Sequence, residues 1–251
     1  MTRLATLLLL LLPLSAGCSA PSSATSADKV WNVGSDLDNP PFAAVDDSGA
    51  IGRDVEMMEE IAERSGVSVV WKRMPFDELL DAVRSGEVDV VCATLGITDE
   101  RERIVDFSSC YFETSIAIVV RDGAGEPTTM TDLASKKVGA AVGTTSEQAL
   151  REFLPKSIAV LENKSGAPTL ERLVTGELDA AVMDGPAARA MAARSAGKLS
   201  VMKQTLTSER YALVVREGRE DLLSRIDAAL ESMRRDGSLA ELNQRFGLRG
   251  E

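Results

Sequence analysis

Arg101 sits in the run TLGITDERERIVDFSSCY, Thr94 to Tyr111, directly behind the apolar stretch Val88 to Ala93. That spacing reads as a strand end feeding a short helix whose first turn carries Thr98, Asp99, Glu100 and Arg101. Backbone N–H groups at a helix start are unpaired and point outward, so such a junction favours an anion before any side chain is counted. Arg101 adds a planar fork of donors able to grip a carboxylate with two charge-assisted hydrogen bonds. The same residues also fit a plain structural junction, in which Thr98 caps the helix, Asp99 and Glu100 complement its dipole and Arg101 is solvated. Other chemistries are poorly supplied. There is no histidine, so the usual metal ligand and general base are missing and no Ser/His/Asp or Cys/His set can be assembled. Only carboxylates such as Glu147 and Asp184 are left for acid–base work.

The elements that must position Arg101 follow from periodicity. From Lys29 onward, Val30–Val33 reads as a strand, Asp54–Ser65 places Val55, Met58, Ile61 and Ala62 on one helical face, and Val67–Trp71 is a second strand. Phe76–Arg84 reads as a helix with Leu79, Leu80 and Val83 on its apolar side, and Val88–Ala93 as a third strand. This βαβαβ order implies a parallel sheet covered on both faces, with ligands at the carboxyl ends of its strands. Asp36, Phe76 and the Thr94 turn all follow strand ends or open helices, so they can converge there. Ser115–Arg121 is strongly β-like and runs into the loop Asp122-Gly123-Ala124-Gly125. A second series follows: strand Lys137–Val142, helix Ser146–Phe153, strand Ile158–Leu161, helix Thr169–Thr175 and strand Ala180–Met183. Two α/β lobes are therefore expected. Arg210–Val215 reads as one further strand, and Arg219–Asp236 and Ser238–Phe246 as helices broken at Gly237.

The 251 residues are 44% hydrophobic and 27% charged, which is the balance of a folded, soluble chain. The first eighteen residues, MTRLATLLLLLLPLSAGC, carry one charge, Arg3, then a leucine run and small residues before Cys18. This is an export signal, too short for a membrane span. Leu14-Ser15-Ala16-Gly17-Cys18 resembles a bacterial lipobox, which implies an acylated Cys18 followed by the flexible tether Ser19–Ala27. Loss of Arg3 with the signal changes the formal charge of −11 to −12. So acidic a surface argues against nucleic acid and against electrostatic attachment to anionic lipid, and it keeps the protein soluble. Cys92 and Cys110 remain. In an exported chain a leftover pair often forms a disulfide, so a bridge pinning the Thr94 turn to the strand behind it is expected. The alternative, suggested by the apolar run VDVVCA, is that Cys92 is a small core residue.

Several short runs, in this order, resemble the extracellular solute-binding proteins of family 3, the polar-amino-acid receptors of ABC importers. They are Asn39-Pro40-Pro41-Phe42, Gly52 to Glu56, Ser85-Gly86-Glu87-Val88-Asp89, Gly96 to Tyr111, Gly143-Thr144-Thr145, and Gly176-Glu177-Leu178-Asp179-Ala180 leading to Asp184. The resemblance implies a two-lobed α/β fold of the type II periplasmic-binding-protein kind, each lobe a mixed, mainly parallel sheet flanked by helices, with ligand in the cleft between them. It implies residues 1–17 as signal peptide, 18–28 as lipidated cysteine and tether, 29–117 as the first part of lobe one, 118–207 as lobe two, and 208–251 as the return to lobe one. The crossings would fall near Ile116–Val120 and Gln204–Arg210. Arg101, with the N–H groups around Gly96 to Thr98, would hold the ligand carboxylate, and Asp184 the ammonium, although Asp184-Gly185-Pro186 alone reads as a helix cap. Thr144, Thr145 and Ser146 match a turn that also reaches the carboxylate, Phe76 an aromatic over the ligand side chain, and Asp36, with Asn39 beside it, a pocket position. Gly96 departs from the Ser or Thr of many relatives, and Thr94 could supply the hydroxyl instead. Ala141 departs likewise. The implied role is a monomeric, membrane-tethered receptor that passes an amino acid to an ABC permease, with no cofactor, no metal and no enzymatic activity. A ligand sensor for a signalling partner, or a dehydratase-like enzyme on the same scaffold, are the competing classes.

Overall fold

The computed structural model describes residues 30–162 and 167–248, and the expected signal peptide and Cys18 lie outside them. In chain order, β1 (Val30–Ser35) leads to a hairpin of β2 (Ala44–Asp46) and β3 (Gly49–Ile51), then α1 (Arg53–Arg64), β4 (Ser68–Arg73), α2 (Leu79–Ser85), β5 (Val90–Val91), the one-turn α3 (Asp99–Glu102) and β6 (Asp106–Phe107). The long β7 (Phe112–Arg121) opens a second series of β8 (Lys137–Ala141), α4 (Thr145–Phe153), β9 (Ile158–Glu162), α5 (Ala167–Thr175), β10 (Ala180–Asp184), α6 (Gly185–Arg194), β11 (Leu199–Val201) and β12 (Thr207–Tyr211). β13 (Val214–Val215), α7 (Glu220–Asp236) and α8 (Ser238–Arg245) follow.

These strands form two sheets. The first runs β4-β1-β5-β13-β6 and the second β11-β7-β10-β8-β9, with β12 paired to β7. β1 is parallel to β4 and β5, and β8 is parallel to β9 and β10, as two successive βαβ series require. Period-two alternation sorts the first sheet into two cores. Val90 and Val215 face Met57, Met58, Ile61, Ile226 and Leu230 from α1 and α7, whereas Val91 and Val214 face Leu79 and Val83 from α2. Helix α1 begins just after Gly52, whose φ of 127° suits glycine and whose missing Cβ would stand 2.3 Å from the Phe42 carbonyl oxygen.

Three readings of the sequence need correction. The strand expected at Val88–Ala93 pairs only at Val90–Val91, because the Asp89 carboxylate accepts from Asn32 N at 2.8 Å and Thr94 turns away with φ 48°. The helix expected from Phe76 opens as a 3-10 turn, Phe76–Glu78. The single strand expected at Arg210–Val215 is two strands on different sheets, β12 and β13. Between them Ala212 N donates to Leu95 O and Leu213 N to the Ser108 hydroxyl, which carries the chain from one sheet to the other.

The expected Cys92–Cys110 disulfide is also absent. Both are free cysteines. Cys92 is fully buried among Val90, Met57 and Tyr211, with its sulfur toward Asp54 O, while the sulfur of the half-buried Cys110 turns to Phe112 O. The apolar run VDVVCA thus makes Cys92 a core residue, and the two thiols serve different carbonyls.

Candidate ligand cleft

A cavity of about 380 Å³ lies between the two sheets. It is lined by the ends of β1, β5, β8 and β10 and by the helix starts that follow them, the usual place for a ligand in an open α/β sheet. Asp36, Asn39, Phe76, Thr94, Gly96, Arg101, Thr144, Thr145, Ser146 and Asp184 all line it, as does Ala141. Thr98 does not. Its hydroxyl accepts from Arg101 N at 3.3 Å as the cap of α3, and it borders a smaller hollow of about 290 Å³ with Thr145, Phe153 and Glu209.

Arg101 is buried, with only 6% of its surface exposed, and its fork is held in place from both lobes. Nη1 donates to Gly96 O at 2.7 Å and Nη2 to Gly143 O at 3.0 Å, across the cleft. The guanidinium carbon lies 5.9 Å from the centre of the Phe76 ring. Burial pushes the Arg101 pKa down, and Glu209, Glu100 and Asp184 push it back up. Facing it, the Asp184 Oδ2 accepts from Asn39 Nδ2 at 3.3 Å, and the same amide donates to the Thr94 hydroxyl at 2.9 Å. Asn39 therefore ties the first lobe to the carboxylate at the end of β10. Asp184 makes no side-chain cap to α6, which starts instead on Gly185 and Pro186. Burial raises the Asp184 pKa although part of the residue faces the cleft. Asp36 is pushed to about 6, first by burial and then by the charge of Asp38.

Two hydroxyls expected at the ligand are committed elsewhere. Thr144 caps α4, accepting from Glu147 N, and donates to Ala141 O at 2.7 Å. Thr145 donates to the Glu209 carboxylate through a very short hydrogen bond. Glu209 also explains the glycine at position 96. A Cβ there would stand 2.4 Å from Glu209 Oε1 and 3.0 Å from Thr145 Cγ2, so the backbone approaches too closely for Ser or Thr.

Glu209 and Tyr211 are the residues the sequence reading missed. Both are buried; Glu209 Oε2 has no hydrogen-bond partner, and the Tyr211 hydroxyl, without a well-formed hydrogen bond, lies close enough to Asp184 to feel its charge. The signal was present as an alternation, since Glu209 and Tyr211 point to one face of β12 while Ser208 and Arg210 are exposed. Asp38, Arg73 and Asp77 also line the cavity and were not singled out.

Comparison with known proteins agrees with this geometry. Residues 31–249 match the model of the bacterial extracellular solute-binding proteins, family 3. The chain is similar to an L-arginine-binding protein of Pseudomonas aeruginosa, 30% identical over 230 residues, covering 88% of this chain and 89% of that protein. It is similar to the L-cystine-binding protein TcyJ of Escherichia coli, 31% identical over 216 residues, covering 85% and 81%. Among solved structures, an ancestral arginine-binding protein bound to arginine superposes with a TM-score of 0.80 at 35% identity, covering 86% of this chain and 97% of that one.

Proposed function

The chain belongs to the bacterial extracellular solute-binding proteins of family 3, and from that premise we propose that it is an exported receptor that closes two lobes on an amino acid for delivery to an ABC permease. One observation carries the reading: a buried guanidinium from the first lobe and a carboxylate from the second, Arg101 and Asp184, line the same cavity. An α-amino acid needs an anion grip and a cation grip at a fixed separation. Arg101 has five N–H donors, of which Gly96 O and Gly143 O use two, so others are free for the ligand carboxylate. Asp184, oriented by Asn39, takes the ammonium. Ser146 and the amides of the α4 start complete the anion grip, and Phe76 covers the ligand side chain.

The side-chain end of the cavity is acidic, with Asp36, Asp38 and Asp77 set against Arg73. We assign a cationic amino acid to it, arginine first, because a guanidinium would offset the burial and the Asp38 charge that raise Asp36 and would stack on Phe76. Two of the similar proteins described above are named for arginine. Residues 29–117 and 208–251 form lobe one and 118–207 lobe two in this reading, and the mature chain is a monomer held at the membrane by an acylated Cys18. Labelled fatty acid should enter the exported protein and be lost from Cys18→Ser.

The function is tested by a thermal-shift screen across the amino acids. Ligand at a hundredfold excess over Kd should add about 2.7 kcal/mol of stability. Arg101→Ala should lose that shift, and Arg101→Lys should recover it only in part, since an ammonium lacks the planar fork. A parent protein that no amino acid stabilises, or an Arg101→Ala variant that binds like the parent, would overturn the reading.

A further inference from the structure

Asp184 and Glu209 reach the same point from two different strands. β10 and β12 pair with opposite edges of β7, where Ile116 stands between Asp184 and Thr207 and Thr114 faces Glu209. Their two carboxyl groups come within hydrogen-bonding reach of each other. Two carboxylates cannot hydrogen-bond unless one of them carries a proton, because an ionised carboxylate is an acceptor only. The remaining contacts fix which oxygens are available. Thr145 donates to Glu209 Oε1 and Asn39 to Asp184 Oδ2, the Tyr211 hydroxyl also reaches Asp184, and Glu209 Oε2 is buried without a partner.

The charges around the pair come from several elements. Arg101, on α3, is a cation acting on both acids, but two of its nitrogens are bound to main-chain carbonyls. Asp36, at the end of β1, adds negative charge, and Glu100 on α3 acts on Arg101. From α4 the pair sees the neutral Thr145, from β12 the buried phenol of Tyr211, and from α6 the guanidinium of Arg189, which reaches back toward Gly185. Asp184 lines the cleft and Glu209 the smaller hollow beside Thr145, so the pair sets two acids against the shared guanidinium of Arg101, and a ligand ammonium on Asp184 adds a further positive charge.

We propose that Asp184 and Glu209 share one proton in the ligand-free cleft and release it when the ligand ammonium settles on Asp184, so that capture is coupled to proton release. The proton leaves the carboxyl pair for solvent, and the ammonium takes over as its counter-charge. Glu209 is a positioning residue here, acting through Asp184. Burial, together with the charge of Asp184, holds the Glu209 carboxyl well above its usual range, in keeping with a proton retained there. This inference rests on the amino-acid reading above for its ligand, but the shared proton does not.

The experiment has a ligand-free arm and a ligand arm. In the ligand-free protein, carboxyl carbon NMR should show one carboxyl titrating above the ordinary Glu range, and that signal should vanish in Glu209→Gln. In the ligand arm, calorimetry of wild-type protein with L-arginine in phosphate and in Tris should give heats that differ by the buffer ionisation enthalpy of about one proton released per ligand. Below the pair's titration, Kd should weaken about tenfold per unit fall in pH, and Glu209→Gln should flatten that slope. Two carboxyls titrating in the ordinary range, or heats of wild-type binding independent of buffer, would overturn the proposal. A shared-proton titration in protein that takes up no amino acid would sink the amino-acid reading and leave the proton pair standing.

Discussion

Glu209 shows how one residue shapes both chemistry and sequence around it. Its carboxylate receives the Thr145 hydroxyl, leaves no room for a side chain at Gly96, and faces Asp184 in a buried position. A buried acid whose folded pKa is raised favours the fold while protonated. Its contribution is fully present below the unfolded value, about 4.3 for Glu, and is lost as pH rises through the folded value. Glu209→Gln keeps an acceptor for Thr145 and never ionises, so it should match the parent near pH 4 and melt higher than the parent near pH 8. Thermal melts across that range check the sign, and equal differences at both ends would contradict it. Arg101 was a candidate from its turn, where a strand end, a capping Thr and an Arg lie in one contiguous run, and the family resemblance of Gly96 to Tyr111 separated it from a plain helix cap. Glu209 was not, because what brings it to Thr145 and Asp184 is the pairing of two strands nearly a hundred residues apart.

At the scale of elements, the first lobe is tied together through Arg53, which is fully buried at the start of α1. Its Nε donates to Asn243 on α8 at 2.9 Å, its Nη1 pairs with Asp54 at 2.8 Å, and its guanidinium carbon lies 5.0 Å from the Tyr111 ring centre. Tyr111 in turn donates to the other Asp54 oxygen. Removing Arg53 leaves the Asp54 charge buried without its partner, a loss of about 3–5 kcal/mol. Asn243→Ala gives up only one hydrogen bond to a charged group, about 1.5–3 kcal/mol. Denaturant unfolding of both variants should show that order. The hub was invisible in the sequence, where Asp54–Ser65 and Ser238–Phe246 read as two helices far apart in the chain with nothing to join them. The periodicity of α1 gave its apolar face correctly, since Val55, Met58, Ile61 and Ala62 are all buried. The Cys92–Cys110 pairing was misjudged because parity and an oxidising address carry no geometry. Thiol titration of the unfolded, unreduced protein should find both as free thiols, and in the native state the buried Cys92 should react far more slowly than Cys110.

At the scale of the whole molecule, the question is what holds two sheets at one separation. The connection near the cleft floor is narrow: β7 and β12 run side by side, register Thr207 to Ile116 through Tyr211 to Phe112, and an aromatic cluster of Phe42, Phe112 and Tyr211 packs at their lower end. Across the cleft mouth the first lobe reaches the second through Arg101 to Gly143 and Asn39 to Asp184. Each is a single hydrogen bond, and Asp184 keeps part of its surface open to the cleft. A ligand bound to both Arg101 and Asp184 adds two charge-assisted contacts that exist only when the lobes are together, so its differential affinity favours the closed arrangement. Each contact is worth roughly 1.5–3 kcal/mol, so loss of either should weaken binding by about tenfold to a hundredfold or more. Arg101→Ala should cost beyond that range because the ligand carboxylate and Asp184 would remain buried without balance. Small-angle scattering should show the radius of gyration fall on saturation of the parent with L-arginine. Asp184→Asn, saturated at higher ligand concentration, should compact less, since it retains the anion grip alone. A parent whose radius is unchanged at saturation would mean that the cleft binds without closing, and that the two contacts across its mouth already hold the lobes where the ligand finds them.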